Sequence, residues 1–219
     1  TMTLPAESGP VLITGCSSGL GHATAVAFRA AGYTTVATAR DPAAIADLAA
    51  LGCLTLQLDV TDEALCRAAI EEVEKRCGPV RVLVNNAAYG QYGPLEETPI
   101  EDYCRAFETN VFGPVRMAQL VLPAMRSAGR GRIVNISSLA GRVTTRGGGV
   151  YHMTKHALEA FADALRPELK PFGVEVINVL PGPFVSGFLH RLLTTIRDTG
   201  AESPYAAFKR NLRKWMTGF

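Results

Sequence analysis

Tyr151 and Lys155 stand four residues apart in a stretch of helical period, so they share one helix face about one turn apart. A phenol titrates near pH 10 and carries protons poorly at neutral pH, but a neighbouring ammonium stabilises its phenolate. Bringing it to about 7 takes roughly 4 kcal/mol of differential interaction, within reach of a close cation in a partly dry cleft helped by a positively charged cofactor ring. Such a pair recurs by chance in many chains. It gains meaning from Ser138, thirteen residues earlier, just after the apolar run Ile133-Val134-Asn135-Ile136. That places a hydroxyl at the C-terminal end of a strand, where open α/β sheets put their chemistry.

A second constellation lies near the start of the chain. The run Val11 to Thr14 enters Gly15-Cys16-Ser17-Ser18-Gly19-Leu20-Gly21, and a helical pattern begins at once. Glycines there permit a tight turn, let the backbone approach a pyrophosphate, and set that anion at a helix N-terminus. No Gly-Lys-Ser/Thr follows, which excludes a P-loop. The second apolar run ends Thr38-Ala39-Arg40, where NAD-binding sheets usually place an acid for the ribose 2′-hydroxyl. Ala39 leaves room and Arg40 offers a planar fork of donors, so NADP is expected in preference to NAD. Asp59, followed by Val60, closes the third run, where it can reach an adenine amino group or cap the next helix.

The elements that must position these groups follow from periodicity. Short apolar runs at Val11 to Thr14, Tyr33 to Thr38, Leu54 to Leu58, Val80 to Val84, Arg132 to Ile136 and Val174 to Leu180 read as strands buried on both faces. Helical patterns lie between them at Gly21 to Ala31, Pro42 to Ala50, Glu63 to Arg76, Ile100 to Ser127, with a break near Gly113-Pro114, and Tyr151 to Lys170. Asp41-Pro42 is a helix start, and Gly32, Gly52, Gly78 and Gly173 are helix stops. The alternation predicts a doubly wound parallel α/β sheet, a Rossmann-like three-layer sandwich with its crevice at the strand C-termini. Pro167 is expected to kink the last of these helices or to end its regular part near Arg166.

Composition bounds the rest. The 219 residues are 47% apolar, enough to fill a core, and 22 basic against 20 acidic residues leave a net charge of +2 with no basic run. Neither nucleic acid nor an anionic membrane is an expected partner. Five scattered cysteines without a Cys-x-x-Cys pair argue against a disulfide framework and for a cytoplasmic protein. The start Thr1-Met2-Thr3-Leu4-Pro5 lacks the features of a signal peptide, and no apolar stretch approaches the roughly 18 residues of a membrane span. His152 and His156 have zinc-compatible spacing, but Lys155 beside them and the lack of a third ligand argue against metal.

Taken in order, Thr14-Gly15-x-x-x-Gly19-x-Gly21, Leu58-Asp59-Val60-Thr61, Asn85-Asn86-Ala87, Thr109-Asn110-Val111, Ile136-Ser137-Ser138, Tyr151-x-x-x-Lys155 and Pro181-Gly182 resemble the short-chain dehydrogenase/reductase family over positions 9 to 185. The wording of the glycine turn and of Ala39-Arg40-Asp41 is most similar to its retinol and 17β-hydroxysteroid dehydrogenase branch. The resemblance implies Tyr151 as general acid and base, with Lys155 lowering its pKa and holding the nicotinamide ribose. It implies Ser138 as a donor to the substrate oxygen, and Asn110 as the anchor of a water relaying protons from Lys155. Gly15, Ser17, Ser18, Gly19, Leu20, Gly21, Arg40, Asp59, Val60, Asn85, Asn86, Ala87, Pro181, Gly182 and Val185 or Ser186 would line the cofactor channel. Hydride would pass between nicotinamide and carbon. The family commonly forms homodimers or homotetramers.

Departures from the family pattern are visible. Ala87-Ala88 stands where Ala-Gly is common, Ser186 is the nearest substitute for a carboxamide-binding Thr, and the usual last strand is missing after Phe184. The chain therefore reads as one oxidoreductase domain over 1–219, with 184–219 a partial substrate lid. Phe184, Phe188, Leu189, Leu192, Leu193 and Ile196 form an apolar stripe that suits either a lid or a helix packed on the core. Gly147-Gly148-Gly149 suggests a bare, mobile pocket wall or a plain surface loop. The expected activity is NADP(H)-dependent interconversion of a lipophilic ketone and secondary alcohol. The alternatives are a non-catalytic NADP-binding regulator, or an epimerase or dehydratase on the same scaffold.

Overall fold

A computed structural model describes residues 9–182 and 187–217. The elements are β1 (Val11–Ile13), α1 (Gly19–Ala30), β2 (Thr35–Ala39), α2 (Ala46–Ala50), β3 (Leu54–Gln57), α3 (Glu63–Cys77), β4 (Val82–Asn85), α4 (Ile100–Phe107), α5 (Gly113–Ser127), β5 (Gly131–Ile136), α6 (Gly149–Leu169), β6 (Val174–Val179), α7 (Gly187–Thr195) and α8 (Ala206–Thr217). The strands form one sheet in the order β3-β2-β1-β4-β5-β6, every neighbouring pair parallel. The strand order reverses between β1 and β4, which opens a crevice at their C-terminal ends. Among the described residues no strand follows β6, and no helix is long and apolar enough to cross a membrane.

Side-chain alternation along the strands splits the core into two layers. Leu12, Val36, Leu83 and Ile133 pack with Ile70, Val73, Met117, Val121 and Ala162 from α3, α5 and α6. Val11, Ile13, Ala37 and Val84 face the other way, onto Ala25 of α1 and Ile45 and Leu48 near α2. Helix starts are fixed locally: Asp41 Oδ1 accepts from the Ala43 N–H at 2.9 Å, and Asp62 Oδ1 accepts from the Leu65 N–H at 3.0 Å.

Two helices depart from a regular course, and prolines bear on both. The expected break near Gly113-Pro114 takes the form of one wide π turn over Glu108–Phe112 between α4 and α5. Pro114 has no N–H to offer the carbonyl of Asn110 four residues back, and the wider turn absorbs the mismatch. Pro167, by contrast, neither ends nor breaks α6, which runs on to Leu169. The carbonyl it leaves without an N–H belongs to Asp163, an exposed residue that water can serve, and the helix stops within two residues anyway.

Register sets up a polar ladder inside the sheet. Asn85, Asn135 and Asn178 are aligned across β4, β5 and β6, with Asn85 Nδ2 donating to Asn135 Oδ1 at 2.9 Å and Asn135 Nδ2 donating to Asn178 Oδ1 at 3.1 Å. Asn85 is therefore spent within the sheet rather than in the cofactor channel. Replacing Asn135 with alanine removes both bonds and strands a donor and an acceptor indoors. Urea unfolding should show Asn135→Ala less stable than wild type by roughly 2 to 4 kcal/mol.

Candidate active site

The turn after β1 is built against the chain leaving β4. A Cβ on Gly15, whose φ is +70°, would lie 2.8 Å from Ala87 Cα. Asn86 Nδ2 donates to the carbonyls of Thr14 and Gly15, both at 2.9 Å, while Thr14 Oγ1 accepts from the N–H groups of Asn86 and Ala87, both at 3.0 Å. Gly21 serves this clamp and does not line the cleft: a Cβ there would come within 2.3 Å of Asn86 Nδ2 and 2.4 Å of the Gly15 carbonyl oxygen. Gly15, Ser17, Ser18, Gly19 and Leu20 do line it. Ser18, at the N-cap of α1, makes no side-chain capping bond, and no acid occupies the first turn. The leading N–H groups of α1 thus meet the cleft uncompensated, which suits a phosphate.

That cleft has a volume of about 1230 Å³ and runs past Arg40, Asp59, Val60, Asn86 and Ala87 to Ser138, Tyr151, Lys155, Pro181 and Gly182. Asp59 Oδ1 accepts from the Thr61 N–H at 3.0 Å and the Thr61 hydroxyl at 2.8 Å, and α3 is capped by Asp62 instead. The helix-cap alternative for Asp59 is thereby removed. Ala88 is an exposed residue of the cleft wall. Val185, Ser186 and Phe184 lie outside the described residues.

At the inner end, Ser138 Oγ accepts from the Ala140 N–H at 3.1 Å, which leaves its own proton to donate. Burial in the cleft wall raises the Tyr151 pKa well above that of a free phenol, and the nearby Ser138 hydroxyl, which favours the phenolate, offsets this only in part. Lys155, 2% exposed, donates from Nζ to the Ile136 carbonyl at 2.8 Å and lies 5.6 Å from the centre of the Tyr151 ring. Burial depresses its pKa to about 8, against the opposing pull of Glu159. The expected lowering of the Tyr151 pKa is thus not found in the chain alone. A neutral phenol beside a buried cation is the resting arrangement.

Asn110 stands behind the cleft rather than in it. At 1% exposure its Oδ1 accepts from the Tyr89 N–H at 2.7 Å, and its Nδ2 donates to the Tyr89 carbonyl at 2.7 Å and to Thr154 Oγ1 at 3.0 Å. The side chain ties the loop after β4 to α6 and has little left for a water.

The loop after β4 and the C-terminal helices complete the wall, joining Phe188 of the apolar stripe to residues that motif reading did not single out. The rings of Tyr92 and Phe188 stand 6.2 and 5.7 Å from that of Tyr151, and Trp215 and Met216 join the wall. The apolar stripe is divided between two surroundings. Leu192 and Ile196 pack with Leu212 and Met216 in a small separate core, while Phe188, Leu189 and Leu192 also face the cleft. Arg191 and Arg197 line the cleft as well, and an isolated arginine past the motifs carries no sequence signal.

The glycine tract is packed against side chains and does not line the cleft. Cβ atoms on Gly147, Gly148 and Gly149 would come within 2.6 Å of Leu212, His152 and Leu95 respectively, so the three glycines seat neighbouring side chains. His152 spends Nδ1 on the Val143 carbonyl at 2.6 Å and Nε2 on Thr145 Oγ1 at 3.2 Å. No group of three or more metal-ligating side chains gathers among the described residues.

Known proteins resemble the chain in sequence and in fold. The family model described as short chain dehydrogenase matches residues 10–196. A 3-ketodihydrosphingosine reductase of Bacteroides thetaiotaomicron is 38% identical over 205 residues, 93% of this chain and 74% of that one. Retinol dehydrogenase 5 of Mus musculus is 36% identical over 212 residues, 93% of this chain and 66% of that one. The crystal structure of a short-chain dehydrogenase from Streptomyces avermitilis superposes with a TM-score of 0.85 at 37% identity, covering 97% of this chain and 78% of that one.

The buried ammonium has a pH signature. A lysine whose folded pKa is near 8 binds fewer protons than its unfolded counterpart between about pH 8 and 10.5, so stability rises across that window. Relative to Lys155→Met, the wild-type chain should gain up to roughly 3 kcal/mol of unfolding free energy as pH rises through it. Parallel urea titrations of the two proteins at pH 7 and pH 10.5 measure the difference.

Proposed function

The chain belongs to the short-chain dehydrogenase family and is an oxidoreductase, and from that premise we propose that it interconverts a ketone and a secondary alcohol with NADP(H). The observation that carries the reading is the meeting of Ser138, Tyr151 and Lys155 in the cleft onto which the glycine turn and Arg40 open. The uncapped start of α1 fits the dinucleotide pyrophosphate, and Arg40 fits the 2′-phosphate. NADPH, when bound, supplies the hydride.

In reduction Tyr151 donates its proton to the carbonyl oxygen, and the Ser138 hydroxyl donates a second hydrogen bond to the same atom. A phenol held neutral by burial is in the protonation state that the reductive reaction starts from. Lys155 holds the nicotinamide ribose and, with its pKa near 8, is mostly cationic at neutral pH. That charge stabilises the phenolate left on Tyr151 when its proton passes to the substrate oxygen. With the Asn110 side chain engaged, a relay water would hang on the Asn110 backbone carbonyl, which lacks a donor from Pro114.

The substrate is lipophilic on this reading. Leu139 and Val143 are 47% and 56% exposed at the cleft, opposite Phe188 and Leu189. Two similar proteins are named for lipophilic substrates, 3-ketodihydrosphingosine and retinol. The chain acts as one catalytic unit with its C-terminal helices as the lid. Its free thiols fit the cytoplasm, and the exposed Phe112 and Met153 fit a homodimer or homotetramer contact.

Two substitutions test the assignment. Tyr151→Phe should lower NADPH-dependent ketone reduction by about 100-fold or more while the NADPH dissociation constant moves less than about twofold. Undiminished turnover would remove Tyr151 from the proton transfer. Arg40→Asp should weaken NADPH relative to NADH by about 10-fold or more, read by fluorescence titration with each.

A further inference from the structure

One cation on the cleft sits where local electrostatics disfavour it. Arg191, on α7, donates from Nη2 to Ser18 Oγ at 3.3 Å. Ser18 is the N-cap of α1, whose first turn carries no acidic side chain. A guanidinium at the positive end of a helix has the wrong sign for the dipole, and among the described residues no carboxylate pairs with it. The contact makes physical sense when an anion stands between helix end and guanidinium, and both border the same cleft.

The rest of α7 fixes the reach of this side chain. Thr195 Oγ1 accepts from the Tyr92 N–H at 3.0 Å, and Gln91 Nε2 donates to the Thr195 carbonyl at 3.3 Å. Just beyond, Arg197 donates to the buried Asp102 carboxylate from Nε at 3.1 Å and from Nη2 at 2.8 Å. Midway, the Leu192 side chain lies against Gly90 so closely that a Cβ there would stand 2.0 Å from Leu192 Cδ2. One end of α7 is thus fastened to the loop after β4, and Arg191 reaches the glycine turn by a single long, exposed bond to a neutral hydroxyl. That bond is the one most readily exchanged for a charged partner.

We infer that Arg191 is a cofactor-positioning residue: it binds the pyrophosphate of the dinucleotide opposite the start of α1 and so draws the apolar face of α7 over the substrate end of the cleft. The inference rests on the nicotinamide dinucleotide reading but not on the preference for NADP. The pyrophosphate is common to both dinucleotides, whereas Arg40 faces the 2′-phosphate that only NADP carries. Arg191 and Arg40 therefore have separable signatures.

Arg191→Ala should weaken NADPH and NADH by the same factor, about 10-fold or more, with the NADPH to NADH affinity ratio unchanged and the salt dependence of binding shallower. Arg191→Lys should fall between the two, retaining charge but not the planar fork. Chymotryptic cleavage in the Phe188-Leu189 segment should slow when NADPH is added to wild type and not when it is added to Arg191→Ala. A loss confined to NADPH would move Arg191 to the 2′-phosphate, and unchanged affinity for both dinucleotides or unchanged protection would overturn the inference. Equal wild-type affinity for NADH and NADPH would defeat the NADP preference and leave Arg191 in its role. A wild-type chain that binds neither defeats both.

Discussion

The burial of the Lys155 ammonium is the constraint around which the inner end of the cleft is arranged. A lone buried cation is costly, and Lys155 keeps its charge through the Ile136 carbonyl at the end of β5 and through Glu159 one turn along α6. Glu159 is itself buried and is paired at 2.8 Å with Arg142, a residue at the protein surface. Closing that chain of charges presses the turn Leu139–Gly141 against α6. A Cβ on Gly141 would fall 2.9 Å from Glu159 Cγ and 3.0 Å from the Lys155 carbonyl oxygen. Ser138 caps this same turn, so the demand for a buried ammonium also sets the hydroxyl beside Tyr151.

Stability is distributed unevenly around the site. The sheet and its flanking helices hold two extensive apolar layers, whereas α7 and α8 share a core whose buried members are Leu192, Ile196, Leu212 and Met216. Polar straps hold those helices to the body: Arg197 on Asp102, Tyr205 on Glu96, and Lys209 on Glu97, whose carboxyl is held below the usual range chiefly by that lysine. A small core fastened by polar contacts opens at lower free-energy cost than the sheet. The glycine turn and the serine, tyrosine and lysine group therefore sit on the rigid part, and the apolar cover of the cleft on the yielding part.

Electrostatics at the cleft are local rather than global. With a net charge of +2 the chain projects no strong field, so recognition of a charged ligand depends on the uncapped start of α1 and on arginines at the cleft edge. Arg142 pairs with Glu159 and Arg146 lies 5.0 Å over the Phe208 ring, both holding structure together, while Arg191, in a segment without motif, faces the uncapped start of α1.

The sequence by itself determined the strand order in time, the glycine turn, the helix spacing of Tyr151 and Lys155 and the position of Ser138 at a strand end. Those features are local: a turn, a helical period and an apolar run each act over a few residues. Tertiary structure decided what depends on packing between distant segments. It turned Asn85 into the sheet beside Asn135, drew the Asn110 side chain onto Tyr89 and Thr154, carried α6 past Pro167, filled the space around Gly147-Gly148-Gly149, and buried the Tyr151 phenol in the cleft wall. Each outcome turns on register, burial or a partner some tens of residues away, and spacing along the chain encodes none of these.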